Sequence, residues 1–103
     1  MKQETRDRKM KVIMLDGKKM TTPDAAHAHI AEMAGFPAYY GKNLDALADC
    51  LGELRPGTYV ILMNEADMRR SLGSYAARLI DVFESAAAEP HSFDFTICTE
   101  QQA

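Results

Sequence analysis

RPGTYVILMN, residues 55–64, is the key to how this chain folds. Arg55-Pro56-Gly57 is a turn signal, and it delivers the chain into Thr58–Met63, a run of β-branched, aromatic and aliphatic residues with no charge. A run so uniformly apolar reads as a central strand. Beyond it, Asn64 with Asp67 three residues on starts a short polar helix through about Arg70, which Gly73 breaks. Ser74 begins a longer helix with Tyr75, Leu79, Val82, Phe83 and Ala86 as its apolar stripe, ending before Pro90. FDFTIC, residues 93–98, is a further strand.

The other direction mirrors this. Pro37 holds Phe36 extended, and Gly41 leads into a helix capped by Asn43, with Leu44, Leu47 and Leu51 as its stripe and its end near Gly52. Before it, Thr22 caps a helix that has Pro23 at its first position and Asp24 at the positive end of its dipole. Ala26, Ile30 and Met33 mark its buried face, and Gly35 ends it in a left-handed cap with Phe36 folding back. Lys11–Leu15 is a short strand closed by an Asp16-Gly17 turn. Strands separated by pairs of helices pair in parallel through right-handed crossovers. The expected fold is therefore α/β, a three-stranded parallel sheet packed with about four helices.

A chain of 103 residues has surface enough to bury for one core, so residues 10–103 are expected to form a single domain. Residues 1–9 carry eight polar side chains and no apolar period, and read as a flexible leader. They lack the apolar stretch of a signal peptide, and no later run approaches the roughly 18 apolar residues that span a bilayer. The chain reads as cytoplasmic, with no membrane association. Cys50 and Cys98 fall in apolar patterns and are expected as buried thiols. A formal charge of −3 argues against nonspecific nucleic-acid binding and for a basic partner if any charged one exists.

Motifs that carry catalysis are missing. There is no GxGxxG, no phosphate-cradling Walker loop and no GxSxG. His27 and His29, two apart on a helix, point to different faces and cannot share a metal from that helix; His91 falls in a turn and is expected in solvent. No cofactor is expected. The seven methionines read as core filler, and Arg69-Arg70 is too small a basic cluster to hold nucleic acid.

One pair of residues resists this bland reading. Asp45 and Asp49 are one helical turn apart, so their Cβ atoms lie about 5–6 Å from each other, which costs a few tenths of a kcal/mol in repulsion. The helix dipole favours Asp45 in the first turn, but not Asp49. Taken alone, the pair reads first as a solvated helix face. Glycoside chemistry would need opposed carboxylates around an enclosed substrate, not neighbours on one helix. Of the preceding tyrosines, Tyr40, next to Gly41, is expected in the core.

The whole stretch PAYYGKNLDALADCL, residues 37–51, resembles the signature of the barstar family, intracellular inhibitors of barnase-type ribonucleases. In that family a tyrosine pair, a glycine, an asparagine cap and two helical aspartates recur at this spacing. The likeness runs collinearly from about residue 11 to 100. It implies a one-to-one inhibitor that plugs the active site of a basic ribonuclease, without cofactor, catalysis or direct nucleic-acid contact, and monomeric when free. By position in the motif, Tyr39 would pack against the catalytic edge of the partner, Asn43 would cap the helix and border the contact, and Asp49 would make the deepest ionic contacts with Asp45 beside it. The sequence departs from the best-known member in three places. Ala48 stands where that protein has a bulky aromatic, Gly52-Glu53-Leu54 where the family can add another, and Ser85 where it has an acid, with Glu84 one residue earlier and about 100° around the helix. Ala48 and Ser85 favour an alternative, the same fold binding a protein other than a nuclease. An enzyme ranks third, since no nucleophile, base and oxyanion set can be drawn from these residues.

Overall fold

In the computed structural model, residues 10–98 are described; the leader expected over residues 1–9 lies outside them. Among the described residues, three strands form one parallel sheet in the order β1-β2-β3, with β1 Lys11–Asp16, β2 Thr58–Met63 and β3 Asp94–Ile97. The register pairs Lys11 with Thr58 through Asp16 with Met63, and Tyr59 with Asp94 through Leu62 with Ile97. The apolar run of β2 is central, as its composition requires. Four α-helices fill the crossovers: α1 Pro23–Ala34, α2 Leu44–Leu51, α3 Glu65–Leu72 and α4 Ser74–Ala87. The last strand is shorter than expected, since Phe93 is buried ahead of it and Cys98 follows its end.

Ile13 and Leu15 of β1 and Val60 and Leu62 of β2 point into one cluster with Ile30, Leu47, Leu51, Met68, Leu79 and Phe83 from the four helices. Burial alternates along β1 and β2, so only one face of the sheet is covered. Val12, Met14 and Tyr59 are exposed on the other face. Continuous apolar runs predict burial on both faces, and here only alternate residues receive it.

Helix ends follow local chemistry. Thr22 Oγ1 accepts the Ala25 N–H at 3.0 Å, and Gly35 closes α1 with φ 75°, where a side chain would be strained. Phe36 N–H donates back to the Ala31 carbonyl. The buried face of α1 is rotated from the expected one: Ala26, His27, Ile30 and Ala34 are buried and Met33 is 42% exposed. The stripe climbs in steps of four, through Ala34 rather than Met33. In α4, likewise, Ala76, Leu79, Ile80 and Phe83 are the fully buried positions, with Tyr75, Val82 and Ala86 at the border.

Asn64 starts α3 at the N-cap position, as its spacing to Asp67 suggests, but does not cap it with its side chain. It adopts φ 57°, its side chain makes no cap bond, and its amide instead donates to Asp16 Oδ1 at 2.8 Å. Asp16 also accepts the Lys18 N–H at 2.9 Å, and these two bonds, led by Asn64, hold its carboxyl below the ordinary carboxylate range. Asp67 and Glu65 pair along α3 with Arg70 and Arg69. The junction has no room for a side chain at Gly17, the residue that opens the 3-10 turn Gly17–Lys19: an added Cβ would sit 2.2 Å from the Asn64 carbonyl oxygen. Gly17→Ala is therefore expected to force the strand ends apart and cost on the order of 3 kcal/mol, the upper range for overpacking. A lowered urea midpoint checks this; an unchanged one would contradict the close approach.

Candidate partner-binding surface

The loop before α2 is fixed from inside. Tyr40 is buried, its ring 5.1 Å from that of Phe36, and its N–H donates to the Pro37 carbonyl. Its hydroxyl lies 2.6 Å from Nδ1 of His27, whose Nε2 lies 2.8 Å from the Tyr75 hydroxyl on α4. His27 is 0% exposed, and burial is the chief reason that its pKa falls below the usual value. A neutral imidazole has one donor and one acceptor nitrogen, which suits two hydroxyls. Burial likewise pushes the Tyr40 hydroxyl far up. His29 is also buried; its Nε2 accepts the Asp16 N–H at 2.9 Å, so the ring locks α1 to the end of β1. Neither ring is legible as a core residue in the sequence, because both depend on partners at least 13 residues away. His91 is exposed, in a left-handed turn conformation.

With Tyr40 anchored, Tyr39 is thrown outward and is 87% exposed. Lys42 takes φ 56°, and Asn43 then starts α2, its Oδ1 accepting the Ala46 N–H at 2.7 Å. Leu47 and Leu51 are fully buried, so the opposite side of α2, carrying Asp45, Ala48 and Asp49, is presented to solvent. The salt bridges found among the described residues lie on α3, and neither Asp45 nor Asp49 is in one. Two carboxylates a turn apart thus stand outside any salt bridge among the described residues, on a helix anchored by Leu47 and Leu51 and preceded by an exposed aromatic ring. Tyr39, Asn43, Asp45, Ala48 and Asp49 are brought together on one loop and one helix.

Glu84 is not brought to that surface. It lines a depression with Phe93 and Phe95 on the β3 side of α4, whereas Ser85 lines a groove with Ala48. One residue along a helix turns the side chain by about 100°, enough to separate the two. The groove, about 560 Å³, runs between α2 and α4 and is also bordered by Asp81, a residue that no motif or spacing singles out. Cys50 is half-buried, its thiol pushed up mainly by burial, while Cys98 is exposed, contrary to expectation, because the alternation along β3 puts it on the exposed side with Asp94 and Thr96. Both thiols are free.

Comparison with known proteins shows the family of the chain. Residues 10–100 match the family described as Barstar (barnase inhibitor), a span that takes in the Tyr39 loop and α2. The chain belongs to the barstar family. Among curated relatives, "Putative ribonuclease inhibitor YrdF" of Bacillus subtilis (strain 168) is 36% identical over 81 residues, covering 78% of this chain and 89% of the relative. Barstar-family membership accounts for the three-stranded parallel sheet with four helices. No helix among the described residues is long and apolar enough to cross a membrane.

Proposed function

We propose that this barstar-family chain inhibits a basic, barnase-type ribonuclease in the cytoplasm by inserting α2 and the Tyr39 loop into its active site. The family match and the named relative support an inhibitor role. The observation that carries the mechanism is the unpaired, exposed Asp45–Asp49 pair on a helix anchored by Leu47 and Leu51. A ribonuclease binds the RNA backbone through lysine and arginine side chains, and two carboxylates a turn apart offer those cations neighbouring anionic sites. The acidic surface also steers the encounter with a basic cleft from a distance.

Tyr39 packs its ring against the rim of that cleft, where an exposed aromatic side chain contributes contact area at low entropy cost. Asn43 fixes the angle of α2 and borders the contact, Asp49 enters deepest, Asp45 supports it, and Ala48 lies between them. Glu84, on the far side of α4, stays outside this contact. The protein acts as a monomer, one to one, through residues 10–103 as a single domain. It neither catalyses a reaction nor uses a cofactor; protection is by occupancy.

The test is RNA cleavage by a barnase-type ribonuclease titrated with the protein. Activity should fall linearly to zero at one equivalent, and added salt should slow association. A full excess of folded protein that leaves cleavage untouched would overturn the proposal.

A further inference from the structure

On its β1 side the sheet ends in an open edge. β1 has β2 as its one neighbour among the described strands, and the Lys11 N–H donates towards it, to the Gly57 carbonyl just ahead of β2. Backbone groups alternate in direction along a strand, so Ile13 and Leu15 also address β2, while Val12, Met14 and Asp16 turn theirs outward. The Asp16 N–H is taken by His29 Nε2. The outward N–H and C=O groups of Val12 and Met14 have no hydrogen-bond partner among the described residues, and both side chains are exposed on the uncovered face of the sheet. Natural edges are blunted by a charge, a proline or a bulge, and between Lys11 and Asp16 this strand has none of them.

We propose that two copies of this chain pair through β1, antiparallel about a two-fold axis, to make one six-stranded sheet. The free groups are self-complementary in one register. With Ile13 on the axis, Val12 of each copy stands opposite Met14 of the other, and each such pair exchanges two N–H···O=C bonds, which satisfies every free group of both residues. A slip of two residues would set Val12 against Asp16, whose N–H His29 already holds. Antiparallel pairing also brings the Lys11 end of each strand to the Asp16 end of the other, where a parallel pairing would gather like charges. The contact is isologous and closes at two copies. It is small, in the range below about 1,200 Å² where interfaces are weak and transient, so the pair belongs to concentrated protein and dilute inhibitor remains a single chain. α2 stays clear of it, because α2 packs on α4, which packs on β3 at the opposite edge. The pairing does not depend on the nature of the nuclease.

The test is sedimentation equilibrium of the full chain from about 10 μM to about 1 mM, with amide hydrogen exchange followed by NMR at both ends of the range. The apparent mass should rise from 11.5 kDa towards twice that value, with a dissociation constant on the order of 100 μM. Exchange at Val12 and Met14 should slow about fourfold over the same range, in step with the loss of single chains. Met14→Lys, which charges the edge, should be folded and unpaired throughout, and Tyr59→Ser, on the same open face but one strand inward, should pair as wild type does. An unchanging mass, pairing retained in folded Met14→Lys, or pairing lost in folded Tyr59→Ser, the mark of open faces stacking, would overturn the proposal. So would protection of Val12 and Met14 that is independent of concentration, which would give the edge to another segment of the same chain.

Discussion

Asp49→Ala is expected to weaken inhibition of the target ribonuclease by about 3–5 kcal/mol, a factor of roughly 150 to 5,000, while leaving the fold intact. The size follows from burial of the contact. Once α2 fills the cleft, the cations that faced Asp49 are sealed from water, and removing the carboxylate leaves them without a partner. The barnase–barstar complex is itself one of the reference cases for coupling between such charge pairs, so the magnitude is general and not particular to this chain. Folding stability should move the other way. Asp49 is exposed and forms no salt bridge among the described residues. Its removal relieves repulsion with Asp45 and introduces the best helix former, together worth up to about 1 kcal/mol. Inhibition and urea unfolding are measured on the same preparation. An unfolded variant, or one that inhibits as well as wild type, would remove Asp49 from the centre of the contact.

His27→Ala is expected to act in the opposite sense, through stability first. Truncating a fully buried ring leaves a cavity and deprives the buried Tyr40 hydroxyl of its partner, for a loss of about 2–5 kcal/mol. In a domain of this size each kcal/mol lowers Tm by about 4–8 °C. Tyr40 also sets the loop from which Tyr39 projects, so the variant should inhibit less well even where it remains folded.

The same ring makes stability depend on pH. Burial lowers the folded-state pKa of His27 below 6.5, and that of His29 in the same direction, so the unfolded chain binds more protons as the medium is acidified. Stability is full above 6.5 and declines as pH falls through that value towards the folded-state pKa values. Asp16 adds a second decline further into acid, because its folded-state pKa lies below 3.8. Melting curves taken from neutral to mildly acidic pH should show Tm falling, and the fall should be shallower in a folded His27→Gln variant. Equal slopes would show that the ring does not titrate with unfolding.

Features that depend on neighbours within a turn or two are written in the chain itself. Thr22, Asn43 and Gly35 terminate their helices through bonds to residues three or four away, and β2 is central because five of its own six residues, Tyr59–Met63, are apolar. The Asp45–Asp49 spacing is local in the same sense, which makes the acidic face of α2 legible in the sequence alone. Packing settles the features whose partners are distant along the chain. Asn64 has the spacing of a cap, but its amide N–H donates to the Asp16 carboxylate, 48 residues away, and that charge-assisted bond orients the side chain away from the N–H groups of the helix start. His27 reads as one more polar helix residue because the Tyr75 hydroxyl that excuses its burial is also 48 residues away. Met33 loses its core place to Ala34 through the direction in which α1 lies on the sheet, and periodicity alone does not fix that direction within one residue. Ser85 rather than Glu84 faces α2 for the same reason, and the groove exists only where two helices approach. A pattern read along one helix gives the face it buries; which residues of the opposite face stand together is a property of how the helices pack.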